Sequence, residues 1–385
     1  MSHPLRDPTM LLLGDLIGFP TVTTESNLDL IEYVESLLAP LASEIRITTD
    51  HTGLRANLLA TIGPSRDGGV VLSGHSDVVP ALENDWTGAP FVAMRREQRI
   101  YGRGTADMKG FIACALASAP SFAAMTLEKP IHIAVTYGEE IGCHGAPLLI
   151  DDLLETGTKP AAAIVGEPTG MGIVNAHKGC YEYTTTLTGV EGHGSQPGRA
   201  VNAVQYGARY VGRLLELATE LSASSPENSP YDPPYTTISA GTMHGGTARN
   251  VVAGECVIEW EMRPVTKSDA RRVLEELAGF ETELRAEMGQ DASVMTVAEG
   301  EVDGLEAEAD SEAVRLMKEL LGTTEVGVVP FGTEAGLYQQ AGISAVVCGP
   351  GSIEVAHQSD EFVSLDQLQA CLEMMEGLGE KLSKT

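Results

Sequence analysis

The sequence predicts an α/β protein that has a mostly parallel central sheet and an inserted α+β domain. Two observations predict this fold: short apolar runs alternate with helical segments in the outer parts of the chain, and the middle of the chain shows a different order of strands and helices. Nearly continuous apolar strands are typical of parallel sheets that helices cover on both faces. We therefore expect a discontinuous larger domain that carries a smaller one within it.

The outer parts of the chain supply the patterns of the larger domain. Asn27 is predicted to cap a helix, because the apolar residues from Leu30 to Leu41 recur at helical spacing. The uncharged stretch 110–127 is interpreted as a buried helix, since a membrane span needs about 20 apolar residues. Strands are expected at the apolar runs 70–72, 131–135, 161–165 and 344–347. The predicted range of this domain is 1–179 and 301–385.

The middle of the chain predicts a ferredoxin-like α+β domain over 180–300. The strand YEYTTTLTGV precedes a helix over 203–217, and TTISAGTM and CVIEWEM follow as two strands close in sequence. A helix over 268–288 and the strand SVMTVAEG complete the segment. This β-α-β-β-α-β order fits a small open sheet with two helices on one face.

Charge and cysteine content restrict the class of protein. The 385 residues include 25 basic and 54 acidic side chains, a formal net charge of −29. Such a surface repels nucleic acids and anionic membranes, so neither is an expected partner. The six cysteines are scattered without a CxxC pair, which favours a reducing compartment. The N-terminal segment lacks the pattern of a signal peptide or anchor, and we expect a cytoplasmic protein.

Histidines and carboxylates follow the predicted strands at the points where these strands end. Ligands bind beyond the carboxyl ends of the strands in an open α/β sheet, so such side chains should meet at one edge. An additional acid lies in the Gly-rich loop YGRGTADMKG, just before a helix. The residues concerned are His75, Asp77, Asp107, Glu139, Glu140, Glu167 and His357. Their convergence from separate segments predicts a metal centre.

The types of these residues indicate which metal would bind. Two imidazoles and several carboxylates, without a thiolate, suit Zn²⁺ or a similar divalent ion better than Ca²⁺ or Mg²⁺. Five candidate ligands exceed the three that a single catalytic zinc needs, which favours two ions sharing a bridging carboxylate. Of the adjacent Glu139 and Glu140, one can bind metal while the other takes a proton from water.

Alternative interpretations exist for each of these residues. Asp107 could serve only as a helix cap, and the pair Glu139-Glu140 could lie in a solvated loop. Independent caps and turns need not share one sheet edge, so the conjunction favours the metal centre. Surface or core roles are expected for His3, His51, His132, His144 and His244. The chain contains neither a phosphate-binding GxxxxGK[ST] loop nor a serine nucleophile elbow.

Several motifs together resemble one enzyme family over nearly the whole chain. GHSDVVP, YGRGTADMKG, TYGEEIGCHG, HKG, GHGSQP and PFGTEAG…GPGSIEVAH resemble the dizinc deacylases and exopeptidases of the aminoacylase, desuccinylase and glutamate carboxypeptidase type. The resemblance implies hydrolysis of the amide bond of an N-acyl amino acid. The segments FGTEAG and GPGSIEVAHQSDEF are most similar to the enzymes that release acetate and L-ornithine from N2-acetyl-L-ornithine in arginine biosynthesis. The alternatives are a succinyl-diaminopimelate desuccinylase, a related aminoacylase or dipeptidase, and a non-catalytic dimeric binding protein.

The resemblance also implies a role for each residue at the predicted centre. It implies two zinc ions per subunit, which Co²⁺ could replace. His75 and Glu167 would bind one ion, Glu140 and His357 the other, with Asp107 bridging them, Glu139 as general base and acid, and Asp77 hydrogen-bonded to the His75 ring. The peptide bond after Asp107 would be cis.

The inserted domain would be a lid that forms a homodimer. His193 resembles the histidine that reaches the partner's active site and donates a hydrogen bond to the oxyanion. The alternative is that GHGSQPG is only a Gly-rich turn. Residues at the positions that hold the substrate carboxylate in relatives are Lys178, Asn250, Arg263 and Thr333. Glu334 is predicted to receive a side-chain ammonium of the substrate.

Overall fold

The computed structural model describes residues 3–383. In this part of the chain the α-helices are α1 Arg6–Ile17, α2 Leu28–Leu38, α3 Lys109–Ala124, α4 Ala146–Glu155, α5 Ala203–Ala223, α6 Lys267–Met288, α7 Glu312–Leu321, α8 Ala335–Gln340 and α9 Leu365–Leu382. The strands are β1 Glu44–Thr49, β2 Ala56–Ile62, β3 Val70–His75, β4 Met94–Arg96, β5 Arg99–Tyr101, β6 Ile131–Thr136, β7 Ala162–Pro168, β8 Val174–His177, β9 Cys180–Thr188, β10 Gly192–His193, β11 Thr237–Gly245, β12 Val251–Val252, β13 Glu255–Arg263, β14 Ser293–Val302, β15 Gly327–Val329, β16 Ser344–Gly349 and β17 Phe362–Ser364.

The chain forms two compact units. Unit 1 extends to Ala176, includes Ala307–Gly327, and resumes from Thr333; unit 2 comprises His177–Glu306 and Val328–Gly332. The predicted ranges, 1–179 with 301–385 and 180–300, lie three and six residues from the two main boundaries, but they assign 328–332 to the larger domain, whereas these residues belong to unit 2. The role of the inserted segment as lid and dimerisation domain stays a prediction. Across residues 3–383, no helix combines the length and the hydrophobicity that a bilayer span would require.

A mixed sheet formed mainly by unit 1 has the strand order β1-β2-β6-β3-β7-β16-β8-β15. Its central strands β6, β3, β7 and β16 lie side by side and run parallel. Every residue of β3, β6 and β7 is buried, because helices such as α3, α7 and α8 pack against the sheet. The predicted mostly parallel sheet is therefore confirmed, and antiparallel pairings flank the four central strands, where β2 pairs with β6, β8 with β16, and β1 with β2.

The helix predicted after Asn27 is α2, but its first turn is held differently from the prediction. The Asn27 side chain makes no capping hydrogen bond to the helix. Its amide nitrogen instead donates to the Ala56 carbonyl and to Ser76 Oγ, both at 2.8 Å, and its oxygen accepts from the Ala56 N–H at 2.9 Å. Asn27 is buried, and a buried amide must satisfy both its donors and its acceptor. It therefore joins α2 to β2 and to the residue that follows β3.

Unit 2 contains an antiparallel sheet with the order β11-β13-β9-β14. Helices α5 and α6 cover one face of it, and the core between them includes Tyr210, Leu214 and Trp260. Side chains of β9 alternate between buried and half-buried positions, as expected for a sheet with one covered face. The predicted ferredoxin-like order is confirmed. Asn202 and Thr266 each accept a hydrogen bond from a backbone N–H in the first turn of α5 and α6.

Candidate metal centre

The four parallel strands of unit 1 deliver polar side chains to the same edge of the sheet. His75 is the last residue of β3, and Glu167 lies near the end of β7. Glu139 and Glu140 lie in a short turn directly after β6, and His357 follows β16. Parallel strands end at a common edge, so the fold itself brings these side chains together. Asp107 joins them from the loop between β5 and α3.

Asp107 lies between the two histidines and directs one oxygen at each. Its Oδ1 is 2.9 Å from His75 Nε2, and its Oδ2 is 3.3 Å from His357 Nε2. Glu140 Oε2 lies 2.9 Å from His357 Nε2, and Glu167 Oε1 lies 3.6 Å from His75 Nε2. The five predicted ligands therefore form one cluster, in which each histidine has a glutamate beside it and Asp107 contacts both.

The alternative role of Asp107 as a helix cap does not occur in this structure. The residue at the N-cap of α3 is Met108, and no side chain caps that helix. Both oxygens of Asp107 are directed at imidazoles instead. The Asp107–Met108 peptide bond is cis, as the resemblance implies.

The acids of this cluster crowd one another in a buried space. His75, Asp107 and Glu167 are 1%, 6% and 4% exposed. Burial raises the pKa of Glu139 and of Glu167, and neighbouring carboxylates raise both further. Burial also opposes ionisation of Asp107, but its hydrogen bonds with His357 and His75 hold the pKa of Asp107 below its usual value. The same contact with Asp107, together with Glu140, raises the pKa of His357 to about 10. The cluster thus holds more negative charge than its imidazoles balance.

This cluster fits a divalent cation. Two groups offer ligand atoms within 4.8 Å of one another, namely His75 with Glu139 and Glu167, and His75 with Asp107 and Glu140. Glu167 Oε1 is buried and accepts no hydrogen bond, as an oxygen reserved for a metal would. The nitrogen and oxygen donors suit a borderline ion, and its charge would offset the carboxylate repulsion. Glu139 and Glu140 each occur in one group, so the division of roles between them stays a prediction.

Asp77 contacts the cluster differently from the prediction. The backbone carbonyl of Asp77 accepts a hydrogen bond from His75 Nδ1 at 2.9 Å, whereas its carboxylate is 3.7 Å away, beyond hydrogen-bond range. The carboxylate accepts from the N–H groups of Glu139 and Glu140 at 3.2 and 3.3 Å. The turn after β3 returns the chain to the ring, so the carbonyl rather than the side chain fixes the tautomer. Nδ1 therefore carries a proton, and Nε2 faces the Asp107 carboxylate, so that Nε2 is the atom that would bind a metal ion.

The match to a family model decides the family. The model of Peptidase family M20/M25/M40 matches residues 71–381, which include the whole cluster. The chain belongs to this family. It is therefore a metal-dependent hydrolase of amide bonds, and the alternative of a non-catalytic binding protein loses its support.

Individual relatives of the M20 family agree with this assignment. The chain is 36% identical, over 93% of its length and 93% of the relative, to a protein of Myxococcus xanthus named acetylornithine deacetylase. An M20 family metallo-carboxypeptidase of Sulfolobus solfataricus superposes with a TM-score of 0.74 at 21% identity, covering 97% of this chain and 98% of that one. A Bacillus subtilis peptidase of the M20 family, described as dinuclear metal-binding, superposes with a TM-score of 0.64 at 16% identity, covering 98% of each chain.

Two residues predicted to bind substrate lie buried in unit 1 of this M20 enzyme. Thr333 is 0% exposed, and its Oγ1 accepts from the Ala335 N–H at 3.1 Å. Glu334 is 1% exposed, and its Oε2 accepts from Ser73 Oγ at 3.2 Å, on β3. Neither side chain is open to a substrate in this structure. The predicted contact of Glu334 with a substrate ammonium therefore has no support from its position.

Lys178, in unit 2, is also buried, although it was predicted to hold the substrate carboxylate. It is 1% exposed, and its Nζ donates to the carbonyls of Pro233 and Tyr235, both at 2.8 Å. These two bonds fasten the proline-rich loop before β11. Arg263 Nη2 donates to Glu261 Oε2 at 2.7 Å, and Asn250 is exposed. Of the predicted carboxylate-binding residues in unit 2, Asn250 and Arg263 are therefore the ones with accessible side chains.

His193 is exposed in unit 2, and its tautomer is defined by its neighbour. The backbone N–H of Ser195 donates to His193 Nδ1 at 3.2 Å, and Ser195 Oγ lies 2.8 Å from the same atom. A backbone N–H can only donate, so Nδ1 accepts and the proton of the neutral ring is on Nε2. His193 thus presents a hydrogen-bond donor to its surroundings, the property that the predicted oxyanion contact requires.

The sequence prediction missed two residues beside the cluster, Arg103 and Glu361. Both are buried, and they form an ion pair at 2.8 Å next to the loop of Asp107. The available signal was a pair of opposite charges inside the motifs YGRGTADMKG and GPGSIEVAHQSDEF. Their separation of 258 positions in the sequence leaves no spacing from which the contact could be predicted.

Proposed function

We propose that this chain hydrolyses the acetamide of N2-acetyl-L-ornithine to L-ornithine and acetate with two zinc ions, as a step in arginine biosynthesis. The observation that carries this proposal is the position of Asp107 between His75 and His357, with one carboxylate oxygen directed at each ring. The name of the Myxococcus xanthus relative, acetylornithine deacetylase, supports the substrate.

The contacts within the cluster support a division of the ligands between two sites. His75 with Glu167 would hold one ion, His357 with Glu140 would hold the second, and Asp107 would be shared. Nitrogen and carboxylate donors without a thiolate favour Zn²⁺, which Co²⁺ could replace. When bound, such ions supply Lewis acidity toward the scissile carbonyl and lower the pKa of a coordinated water.

Glu139 is the proposed general base and acid. Its Oε2 lies 4.0 Å from His75 Nε2, next to the ligands, and burial raises its pKa toward the range in which a carboxyl can both accept and return a proton. Glu139 would take a proton from the attacking water and deliver it to the leaving α-amino nitrogen. The Asp77 carboxylate would support both glutamates by holding the backbone of their turn.

A homodimer in the cytoplasm is part of the proposal. His193 of a second copy would donate from Nε2 to the oxyanion of the tetrahedral intermediate, which agrees with the tautomer that Ser195 imposes. Asn250 and Arg263 would contribute to binding of the substrate carboxylate. Within residues 3–383, none of the six cysteines forms a disulfide, which suits a reducing compartment.

The test is hydrolysis of a panel of substrates by metal-reconstituted protein. N2-acetyl-L-ornithine, N-acetyl-L-methionine, N-succinyl-L,L-diaminopimelate and a dipeptide would be compared by kcat/KM, with metal content measured in the same samples. We expect acetylornithine to give the highest kcat/KM. A higher value for the succinyl substrate or the dipeptide would assign the same centre to a desuccinylase or a dipeptidase, and equal values for both acetyl substrates would remove the preference for ornithine.

A further inference from the structure

Two side chains of opposite charge are buried beside the loop that carries Asp107. Arg103 is 4% exposed and Glu361 is 0% exposed, and Arg103 Nη1 donates to Glu361 Oε2 at 2.8 Å. Further hydrogen bonds to its remaining atoms stabilise a buried ion pair, because both charges lose their hydration. The partners of these atoms therefore show what the pair holds in place.

Glu361 holds the backbone of the Asp107 loop. Its Oε2 also accepts from the Gly104 N–H at 2.9 Å, and its Oε1 accepts from the N–H groups of Ala106 and Asp107 at 2.8 and 3.1 Å. The backbone carbonyl of Glu361 accepts from the Gly102 N–H at 3.0 Å. One residue thus fixes the loop at four amides, and the last of them belongs to Asp107 itself.

Arg103 connects this loop to two other segments that carry predicted ligands. Its Nη1 donates to the Gln358 carbonyl at 3.3 Å, directly after His357. Its Nη2 donates to the Pro80 carbonyl at 3.5 Å, in the segment that follows His75 and β3. The guanidinium also lies over the ring of Trp86, 5.1 Å from its centre. The ion pair is therefore in contact with three of the chain segments whose ligands meet at the cluster, those of His75, Asp107 and His357.

The geometry points to Glu361 as the positioning residue of the bridging ligand, with Arg103 as its partner. Glu361 acts through the backbone of the Asp107 loop, so that the two oxygens of Asp107 face His75 and His357 at the same time. This inference rests on the proposed function only in that Asp107 is the shared metal ligand. Residues that orient ligands in this way affect metal affinity by about 10- to 100-fold when they are replaced.

Glu361→Gln is the variant that tests this role. The amide keeps the size of the side chain but replaces an acceptor oxygen by an NH₂ group, which must face either the amides of Ala106 and Asp107 or the donors from Arg103 and Gly104. Metal-free protein would be titrated with Co²⁺ alone, and the affinity and the visible absorption spectrum would be recorded well below the unfolding temperature. We expect about 10- to 100-fold weaker binding and an altered spectrum.

Glu281→Gln is the matched control. Glu281 is a carboxylate of unit 2 that is 8% exposed and accepts a hydrogen bond from Arg285 at 2.6 Å. This variant should lower the unfolding temperature of the metal-free protein and leave the Co²⁺ affinity at the wild-type value. If Glu361→Gln behaved in the same way, losing stability but binding Co²⁺ with wild-type affinity and spectrum, the inference would be overturned.

A second variant keeps the test decisive if Glu361→Gln does not fold. Arg103→Lys retains a positive charge opposite Glu361 but loses the forked contacts to Gln358 and Pro80. It should bind Co²⁺ more weakly than the wild type, and unchanged affinity would overturn the inference. A wild-type protein that binds no Co²⁺ would overturn the proposed metal centre together with this inference. A wild-type protein that binds Co²⁺ without hydrolysing any substrate of the panel would overturn the proposed substrate alone.

Discussion

The metal cluster of unit 1 and the secondary structure of unit 2 use polar side chains in opposite ways. In unit 2, Asn202 and Thr266 cap the helices that follow them, and Lys178 fastens a loop through two carbonyls. In the cluster, Asp107 precedes an uncapped helix and Glu167 leaves a buried oxygen without a hydrogen bond. Polar side chains that hydrogen-bond to the backbone indicate a structural role, whereas buried polar side chains directed at one another indicate a functional site.

Substitution of Glu139, in the metal cluster, is expected to have the largest effect on activity. Glu139→Gln removes the proposed proton acceptor and keeps the shape of the side chain, so kcat for acetylornithine should fall by about 10²- to 10⁴-fold. The metal content should stay at the wild-type value, because Glu139 is not a proposed ligand. Steady-state kinetics and metal analysis of the same preparation would check both expectations.

The neighbouring residue provides the control for this prediction. Glu140→Gln alters a proposed ligand that lies 2.9 Å from His357, so this variant should lose metal as well as activity. The opposite pattern, with metal lost from Glu139→Gln and retained by Glu140→Gln, would exchange the two roles. It would leave the cluster intact but would show that adjacent acids after one strand were assigned in the wrong order.

The difference between local patterns and distant contacts explains how much of the fold and of the metal centre the sequence could predict. His75, Glu139 and Glu167 were predictable as a group, because each lies at or just after the end of a buried strand and parallel strands end at one edge. The ferredoxin-like order of unit 2 was predictable from the periodicity of apolar residues and from the residues that mark helix ends, which are local features of the sequence. These features depend on residues near one another in the sequence.

Features that depend on distant contacts were missed or assigned wrongly. The motif HKG suggested a substrate-binding Lys178, but the lysine donates to carbonyls 55 and 57 positions away. The carboxylate of Asp77 was assigned to the ring of its close neighbour, yet it accepts from amides 62 and 63 positions away. A polar side chain in a turn shows which atoms it offers, and only the tertiary structure decides which partner comes within 3 Å.

A smaller effect is expected from buried histidines, one in each unit. His132 on β6 and His177 on β8 are 2% and 1% exposed, and burial lowers the pKa of each from 6.5 to about 4. The folded protein keeps both rings neutral, while the unfolded chain binds protons below pH 6.5. The free energy of unfolding should therefore fall as the pH drops from about 6.5 to about 4, by about 3 kcal/mol for each histidine.

The variants His132→Gln and His177→Gln would measure these contributions. Each removes one titrating group, so urea unfolding of the metal-free variant should depend less steeply on pH than that of the wild type over this interval. The comparison uses the difference between variant and wild type, which cancels the titration of the carboxylate cluster. A slope that both variants leave unchanged would show that both imidazoles become protonated in the folded protein over this interval, which would contradict the expected effect of burial on their pKa.

The smallest effect is expected at a helix cap of unit 2. Thr266 Oγ1 accepts from the Asp269 N–H at 3.1 Å in the first turn of α6, and Thr266→Ala removes this acceptor, leaving that N–H only the Thr266 carbonyl. The free energy of unfolding should fall by about 1 kcal/mol, and Thr266→Ser should retain most of it because the hydroxyl remains. Neither variant should change kcat or Co²⁺ affinity. A loss of activity that accompanied this small loss of stability would mean that the start of α6 serves the reaction as well as the fold, and a capped helix would then no longer mark a purely structural region.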